Sequence, residues 1–240
     1  MKIVLLSLLF LGGLFAKDIS IEDFQKLSSI KDRKIKVIEF KSLDSVYILR
    51  GLIPKRRGGE RIIDFSVSKD LKYTFYGVTM LSQNSEMIHI KKPLTPYKDK
   101  VSLVYGSGED EYYIFTDPQC PFCRKFERKL FSLDLEKKVK INYFLYPLDF
   151  HKSAIPMSRH ILSQKDDEEK LEIMKNIMLE NSDIFKTQSY TQEQLKIFEN
   201  KINSVKVIAK DLGVQGTPTI FKPDGTKVNI DSFFKRYNEK

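Results

Sequence analysis

One stretch constrains the fold of this chain more than any other: Tyr112 to Phe126, which reads YYIFTDPQCPFCRKF. The aromatic and β-branched run from Tyr112 to Thr116 predicts a buried strand, and Asp117 and Pro118 end it. Phe126 and Leu130, four apart, then open a helical period. The motif Cys120-Pro121-Phe122-Cys123 therefore falls where a strand hands over to a helix, with Cys120 at the helix N-terminus. The first backbone N–H groups of a helix have no internal partner, and the helix dipole is positive there. Pro121 suits the first helical position because its φ is already helical and it has no N–H to leave unpaired. Such a position favours a thiolate, the nucleophile of disulfide exchange.

Other uses of two such cysteines fit less well. A structural disulfide closing so short a loop stabilises by only roughly 2 kcal/mol. A zinc site needs four ligands, and the chain has no second CxxC; His89, His151 and His160 form no ligand pair with it at zinc spacing. Covalent haem attachment would need a histidine where Arg124 stands. Redox chemistry at Cys120 and Cys123 is the reading that remains. No metal, nucleotide or flavin motif accompanies it, so no cofactor is expected.

The 240 residues suffice for one large or two small domains, and 41% hydrophobic with 12% aromatic residues supports a packed core. The net charge of +9 is spread along the chain with no nucleic-acid recognition motif, which reads as a lysine-rich solvated surface rather than a nucleic-acid binder. The N-terminus reads as a signal peptide over residues 1–16: Lys2, an apolar run from Ile3 to Leu11, Gly12-Gly13, and a cut after Ala16. The run is short for a membrane span. Export would place the CxxC in an oxidising compartment, the periplasm.

Along the chain, Ser20 reads as an N-cap before a short helix with Ile21, Phe24 and Leu27 at helical spacing. Strands follow near residues 35–37, 45–53, 62–67 and 71–78, the last two joined by a turn at Ser68-Lys69-Asp70. Residues 17–82 thus form a small α+β unit, whose thin core suits pairing with a second copy. Residues 83–100, with Pro93 and Pro96, read as a semi-rigid linker. The second domain, 101–240, begins with strands at 101–105 and 111–116. After the CxxC helix, Val139 to Tyr146 gives a β-α-β unit with a parallel pair. A helical insertion occupies about 147–211. It has core stripes at Leu171, Met174, Ile177 and Met178 and at Leu195, Phe198, Ile202 and Val205, and a capping box at Thr191 and Gln194. Gly213 reads as the C′ residue of the last long helix. Gly216-Thr217-Pro218-Thr219 enters a strand, Pro223-Asp224-Gly225 turns it, and a short helix ends the chain. Pro218 at the mouth of a strand fits a cis peptide bond or an ordinary trans proline at a strand start.

The segments FTDPQCPFC (Phe115 to Cys123) and LGVQGTPTIF (Leu212 to Phe221), with the order signal, small domain, linker and catalytic domain, make the chain resemble the periplasmic disulfide isomerases of the DsbC and DsbG type, with a thioredoxin-like fold. The resemblance implies an α/β thioredoxin-like domain with a helical insertion, preceded by a small α+β, cystatin-like dimerisation domain. It implies Cys120 as nucleophile, Cys123 as resolving thiol, Pro121 and Phe122 as the active-site dipeptide, and a redox-active disulfide between the two cysteines. Pro218 would be a cis-proline beside the CxxC, and it and Thr217 would offer backbone groups to an extended substrate. It further implies a V-shaped homodimer, misfolded or reduced exported proteins as clients, and a membrane electron donor of the DsbD type.

The chain departs from relatives in two ways that bear on chemistry. Its dipeptide lacks the histidine of the strongly oxidising DsbA-type site. Ile114 stands six residues before the first cysteine, where thioredoxins carry a buried acid, so the sequence offers no evident carboxylate to handle the proton of Cys123. The expected function is disulfide isomerase or reductase. A DsbA-like disulfide oxidase using the same pair, a dimeric holdase chaperone, and a reductant dedicated to one client stand beside it.

Overall fold

The structure, a computed structural model, describes residues 19–55, 58–77, 79–80 and 87–238. The signal segment 1–16 and the first part of the linker, 83–86, lie outside the described residues.

The N-terminal unit opens with two short helices, α1 (Ile21–Gln25) and α2 (Ser28–Lys31), where periodicity predicts one. Leu27 is in extended backbone conformation and divides them. The Ser20 N–H donates to the Asp23 carboxylate, 3.1 Å, at the start of α1. Four strands follow: β1 (Lys36–Ser42), β2 (Val46–Pro54), β3 (Glu60–Ser68) and β4 (Thr74–Tyr76). They form an antiparallel sheet in chain order. Val37, Leu49, Phe65 and Val67 bury one face against Phe24 and Ile30 of the helices. Arg50 is also buried. Its guanidinium donates twice to Asp64 of the neighbouring strand, 2.8 and 3.0 Å, and once to the Ile90 carbonyl, 2.8 Å. A buried cation needs such pairing to be tolerated, and here the pairing ties the sheet to the segment that leaves it.

A two-stranded pair, β5 (Thr79–Met80) and β6 (Met87–Ile88), precedes that segment. The pair joins the end of the N-terminal unit to residues that the sequence reads as linker. The second half of the expected linker is tied down rather than free. Leu94 is fully buried in the core of the second domain, and its N–H donates to the Pro223 carbonyl, 2.9 Å. Lys92 and Tyr97 both donate to Asp211, 2.7 and 3.0 Å, and a 3-10 helix runs over Thr95–Lys100.

The second domain contains β7 (Leu103–Tyr105), β8 (Asp110–Thr116), α3 (Pro121–Ser132), β9 (Val139–Leu145), α4 (Ala154–Leu162), α5 (Asp167–Leu179), α6 (Gln192–Asp211), β10 (Thr219–Phe221), β11 (Lys227–Val228) and α7 (Ile230–Asn238). Its sheet has the order β11-β10-β8-β9-β7; β8 and β9 are parallel and the other pairs antiparallel. Alternation along β8 builds two cores. Tyr112 and Ile114 face α3, α5 and α7, while Tyr113 and Phe115 face α6. The insertion is helical in pieces, with a further 3-10 turn over Ile184–Thr187 between α5 and α6. Thr191 and Gln194 form the expected capping box of α6, and Gly213, at φ +68°, follows that helix in the left-handed conformation.

Candidate active site

Strand β8 ends at Thr116, and Asp117 organises the turn into α3. Its buried carboxylate accepts the N–H groups of Gln119 (2.7 Å), Cys120 (3.2 Å) and Leu148 (2.7 Å), and lies 2.8 Å from His151 Nδ1. Four partners satisfy a charge that burial would otherwise make costly. The turn leaves Cys120 as the N-cap and Pro121 at the first helical position; the Cys120 carbonyl accepts from Arg124 N–H, 3.0 Å.

The two thiols differ. Cys123 is fully buried, and its sulfur accepts the Asp117 N–H at 3.4 Å. Cys120 is 4% exposed and sits at the surface edge, beside Phe122, which is 73% exposed. Both cysteines are free thiols. The Cys123 thiol donates to the Cys120 sulfur, and with help from the Cys123 and Phe122 N–H groups and the Thr217 hydroxyl this lowers the Cys120 pKa to about 5 against the opposing effect of burial. Burial, reinforced by the same bond to Cys120, pushes Cys123 well above its ordinary value. One thiol is thus a ready thiolate and the other a guarded proton donor.

Thr217 and Pro218 meet this pair because β10 is antiparallel to β8 with Thr219 opposite Phe115. The Thr217-Pro218 peptide bond is cis. The Thr217 carbonyl oxygen lies 3.5 Å from the Cys120 sulfur, and its buried hydroxyl faces both cysteines and favours their thiolates. Beside them opens a cavity of about 690 Å³. Phe122, Phe126, Pro218, Ile230 and Phe234 give it an apolar lining, with Lys125 and Lys129 at its wall. Among the described residues no cluster of histidine, cysteine and carboxylate side chains could hold a metal ion.

All six sequence-derived site residues, Cys120, Pro121, Phe122, Cys123, Thr217 and Pro218, come together here. The structure adds residues that the sequence reading passed over: Asp117 and His151 at the turn, and Glu127 with Tyr143 beneath the thiols. Glu127, four positions after Cys123 on α3, is fully buried, and the Tyr143 hydroxyl of β9 donates to its Oε2 at 2.6 Å. Burial raises its pKa to about 8. A carboxyl group therefore does lie below Cys123, from a different element than the one Ile114 would have supplied. A signal was present: Cys123, Phe126 and Leu130 mark the inward stripe of α3, and position 127 falls on it.

A dithiol at a helix start, facing a cis-proline loop across a mixed sheet, defines a thioredoxin-like thiol–disulfide exchange domain. The chain belongs to that family: the thioredoxin-like domain matches residues 97–233. Its dithiol is the centre of a thiol-disulfide oxidoreductase. Solved structures similar to the chain include the thiol-disulfide exchange protein alpha-DsbA2 of Wolbachia pipientis, at 21% identity over 61% of this chain and 92% of that one, TM-score 0.41. DsbG of Helicobacter pylori is 16% identical over 84% of this chain and 98% of its own, TM-score 0.40. ScsC of Proteus mirabilis is 19% identical over 61% and 77%, TM-score 0.41. No curated protein matches the chain at a significant level. No helix among the described residues is long and apolar enough to cross a membrane.

Proposed function

We propose that the chain is a periplasmic disulfide isomerase or reductase for misfolded exported proteins, working as a homodimer through its N-terminal unit and re-reduced by a membrane electron donor of the DsbD type. The division of labour between the two thiols carries this reading: a thiolate at the surface edge and a buried, protonated partner. The Cys120 thiolate attacks one sulfur of a client disulfide. That S–S bond breaks, a mixed disulfide forms, and a client thiolate leaves with the electron pair. If another client thiol then attacks the mixed disulfide at the client's own sulfur, Cys120 is released and the client is isomerised with no net electron transfer. If Cys123 attacks Cys120 instead, the client leaves reduced and the Cys120–Cys123 disulfide forms. The exposed Phe122 and the apolar cavity support a client presented as an unfolded segment.

The low pKa of Cys120 favours a second reading. Stabilising the thiolate stabilises the reduced pair and makes the disulfide a better oxidant, so the same centre suits a disulfide oxidase. The redox state of the pair in the cell separates the two: a mainly reduced pair, trapped by acid and a thiol mass tag, is the isomerase or reductase outcome, and a mainly oxidised pair replaces it with the oxidase. A holdase chaperone is the reading left standing if a variant lacking both cysteines retains the full activity of the chain.

A further inference from the structure

The hairpin of β2 and β3 leans on the catalytic domain beside the segment that leads to Thr217. Gln215 Nε2 donates to the Ile62 carbonyl of β3, 2.8 Å, and Arg61 Nη1 donates to Gln215 Oε1, 3.4 Å. Next to this seam opens a cleft of about 430 Å³, on the other side of Gln215 from the cavity beside Phe122. Its far wall is the loop after β9, where Tyr146, Leu148 and Phe150 supply apolar surface. That loop is pinned to the turn carrying Cys120. Asp117 accepts the Leu148 N–H, 2.7 Å, and lies 2.8 Å from His151 Nδ1, while Gln119 Oε1 accepts the Ser153 N–H, 2.7 Å. Phe150 and Phe122 are the most exposed large apolar side chains among the described residues. On the near wall, Gln215 stands two positions before Thr217, whose carbonyl oxygen is 3.5 Å from the Cys120 sulfur. Both walls of the cleft therefore lead to the nucleophile. Its charges are unbalanced. Lys55 and Arg61 of the hairpin and Lys206 and Lys210 of α6 stand against two carboxylates, Glu60 and Asp149. Asp149 pairs with Lys206, 2.7 Å. Lys55, Arg61 and Lys210 are exposed and make no ion pair among the described residues. A seam serving stability alone would set acids opposite such cations, as Asp64 is set opposite Arg50 and Asp211 opposite Lys92. Here a neutral amide closes the seam, and like charges that repel one another stay open to solvent.

We propose that this cleft holds the acidic part of a client. The occupant is an extended, unfolded segment whose Asp or Glu side chains meet Lys55, Arg61 and Lys210, with an apolar neighbour covering Phe150 and its reacting cysteine at Cys120. This rests on the thiol–disulfide exchange described above and names the class of segment that the centre selects. Two residues of extended chain span roughly 7 Å, the step from Thr217 back to Gln215, so the acids lie roughly two to five positions from the client cysteine. Exposed ion pairs are individually weak, and selection comes from several acting together and from faster encounter. Three open cations steer an acidic segment to the nucleophile before any bond is exchanged. The seat is incomplete without the hairpin, so the N-terminal unit takes part in client choice within its own chain.

The test uses the full, reduced chain and synthetic peptides of one length, each with one phenylalanine and a single cysteine capped as a thiopyridyl disulfide. One peptide carries two aspartates about three positions from the cysteine, on either side in turn. A second carries asparagines there, and a third lysines. Attack by Cys120 releases thiopyridone, whose absorbance gives the rate constant. The ratio between two peptides cancels any change in the cysteine itself. At low ionic strength the aspartate peptide should react about five-fold faster than the asparagine peptide, or more, and the lysine peptide slower than both. The ratio should fall toward one at about 0.5 M salt. In Lys55→Gln/Lys210→Gln the ratio should approach one at low salt, and in Lys55→Glu/Lys210→Glu the order should reverse. An unaltered chain that reacts with all three peptides at one rate, or a preference that survives both variants, overturns the inference alone. A preference lost instead in Lys125→Glu/Lys129→Glu puts the acid in the cavity beside Phe122 and also overturns it. A chain that releases no thiopyridone from any peptide overturns the exchange reading as well.

Discussion

Thr217 places its carbonyl oxygen 3.5 Å from the Cys120 sulfur, although 97 positions separate the two residues. The antiparallel pairing of β10 with β8 makes this contact and brings the Thr217 hydroxyl up to the thiols, where it adds to the larger effect of Cys123 in favouring the Cys120 thiolate. Cys120 is expected to ionise at about 5, followed by thiolate absorbance or by its alkylation rate against pH. Thr217→Val removes a hydroxyl that favours the thiolate and should raise that value by about half a unit to one unit. An unchanged titration would remove the hydroxyl from the account. The same ionisation enters stability. An unfolded cysteine ionises near ~8.5, so the depressed folded value stabilises the reduced protein fully above that pH and the gain is lost as pH falls through about 5. The reduced form should gain on the oxidised form across that window as pH rises.

Asp117 is the anchor of the turn. Asp117→Ala leaves the N–H groups of Gln119, Cys120 and Leu148 without their acceptor in a buried setting. The expected loss is roughly 2–4 kcal/mol in chemical denaturation. It should be accompanied by a higher Cys120 pKa, because the helix start that presents the thiolate is no longer held.

Glu127 makes a thermodynamic prediction. Its folded value is raised to about 8 from an ordinary 4.5 by burial. The folded chain therefore keeps the proton where the unfolded chain has released it. That contribution is full below about 4.5 and is lost as pH rises through about 8. The stability advantage of Glu127→Gln over the unaltered chain should grow with pH through this window, by on the order of a few kcal/mol. A difference that is flat in pH would show that the acid is not held protonated.

Gly225, at φ +87°, turns the β10–β11 hairpin against the backbone of Lys92; a Cβ there would overlap the Lys92 carbonyl oxygen. Gly225→Ala combines a left-handed backbone with this clash and should destabilise by more than about 1 kcal/mol. Limited proteolysis should then cut more readily near residues 89–97, because the turn and the segment from Lys92 to Leu94 hold each other.

What the sequence disclosed and what it hid follow one physical division. Local signals were readable: the strand into CxxC, the proline after Cys120, the capping box at Thr191, and the glycine after α6. The site cysteines and the Thr217-Pro218 segment belong to this class, because turn and helix-start chemistry is written in adjacent residues. The hidden features depend on which face of an element is covered. Glu127 lies among Arg124, Lys125, Arg128 and Lys129 and reads as one more charged surface residue until the packing of α3 on β9 is known. Arg50 reads as a solvated position in a strand until Asp64 and Ile90 close around it. The linker prolines suggested a stiff spacer, but Leu94 inserts into a core that draws on β8 and β9 and on Val205, Leu212 and Phe221, more than a hundred positions later. Leu27 split a helix whose apolar spacing was continuous.

Phe122 stands between the two cysteines with most of its ring in water. A native protein keeps its own apolar side chains covered and has little to offer such a ring, whereas a chain caught before folding is complete has many. Contact with Phe122 would then come before chemistry and would rank clients by how unfinished they are rather than by their sequence. Under the proposed isomerase reading, a correctly formed disulfide would be spared because the protein around it no longer sticks.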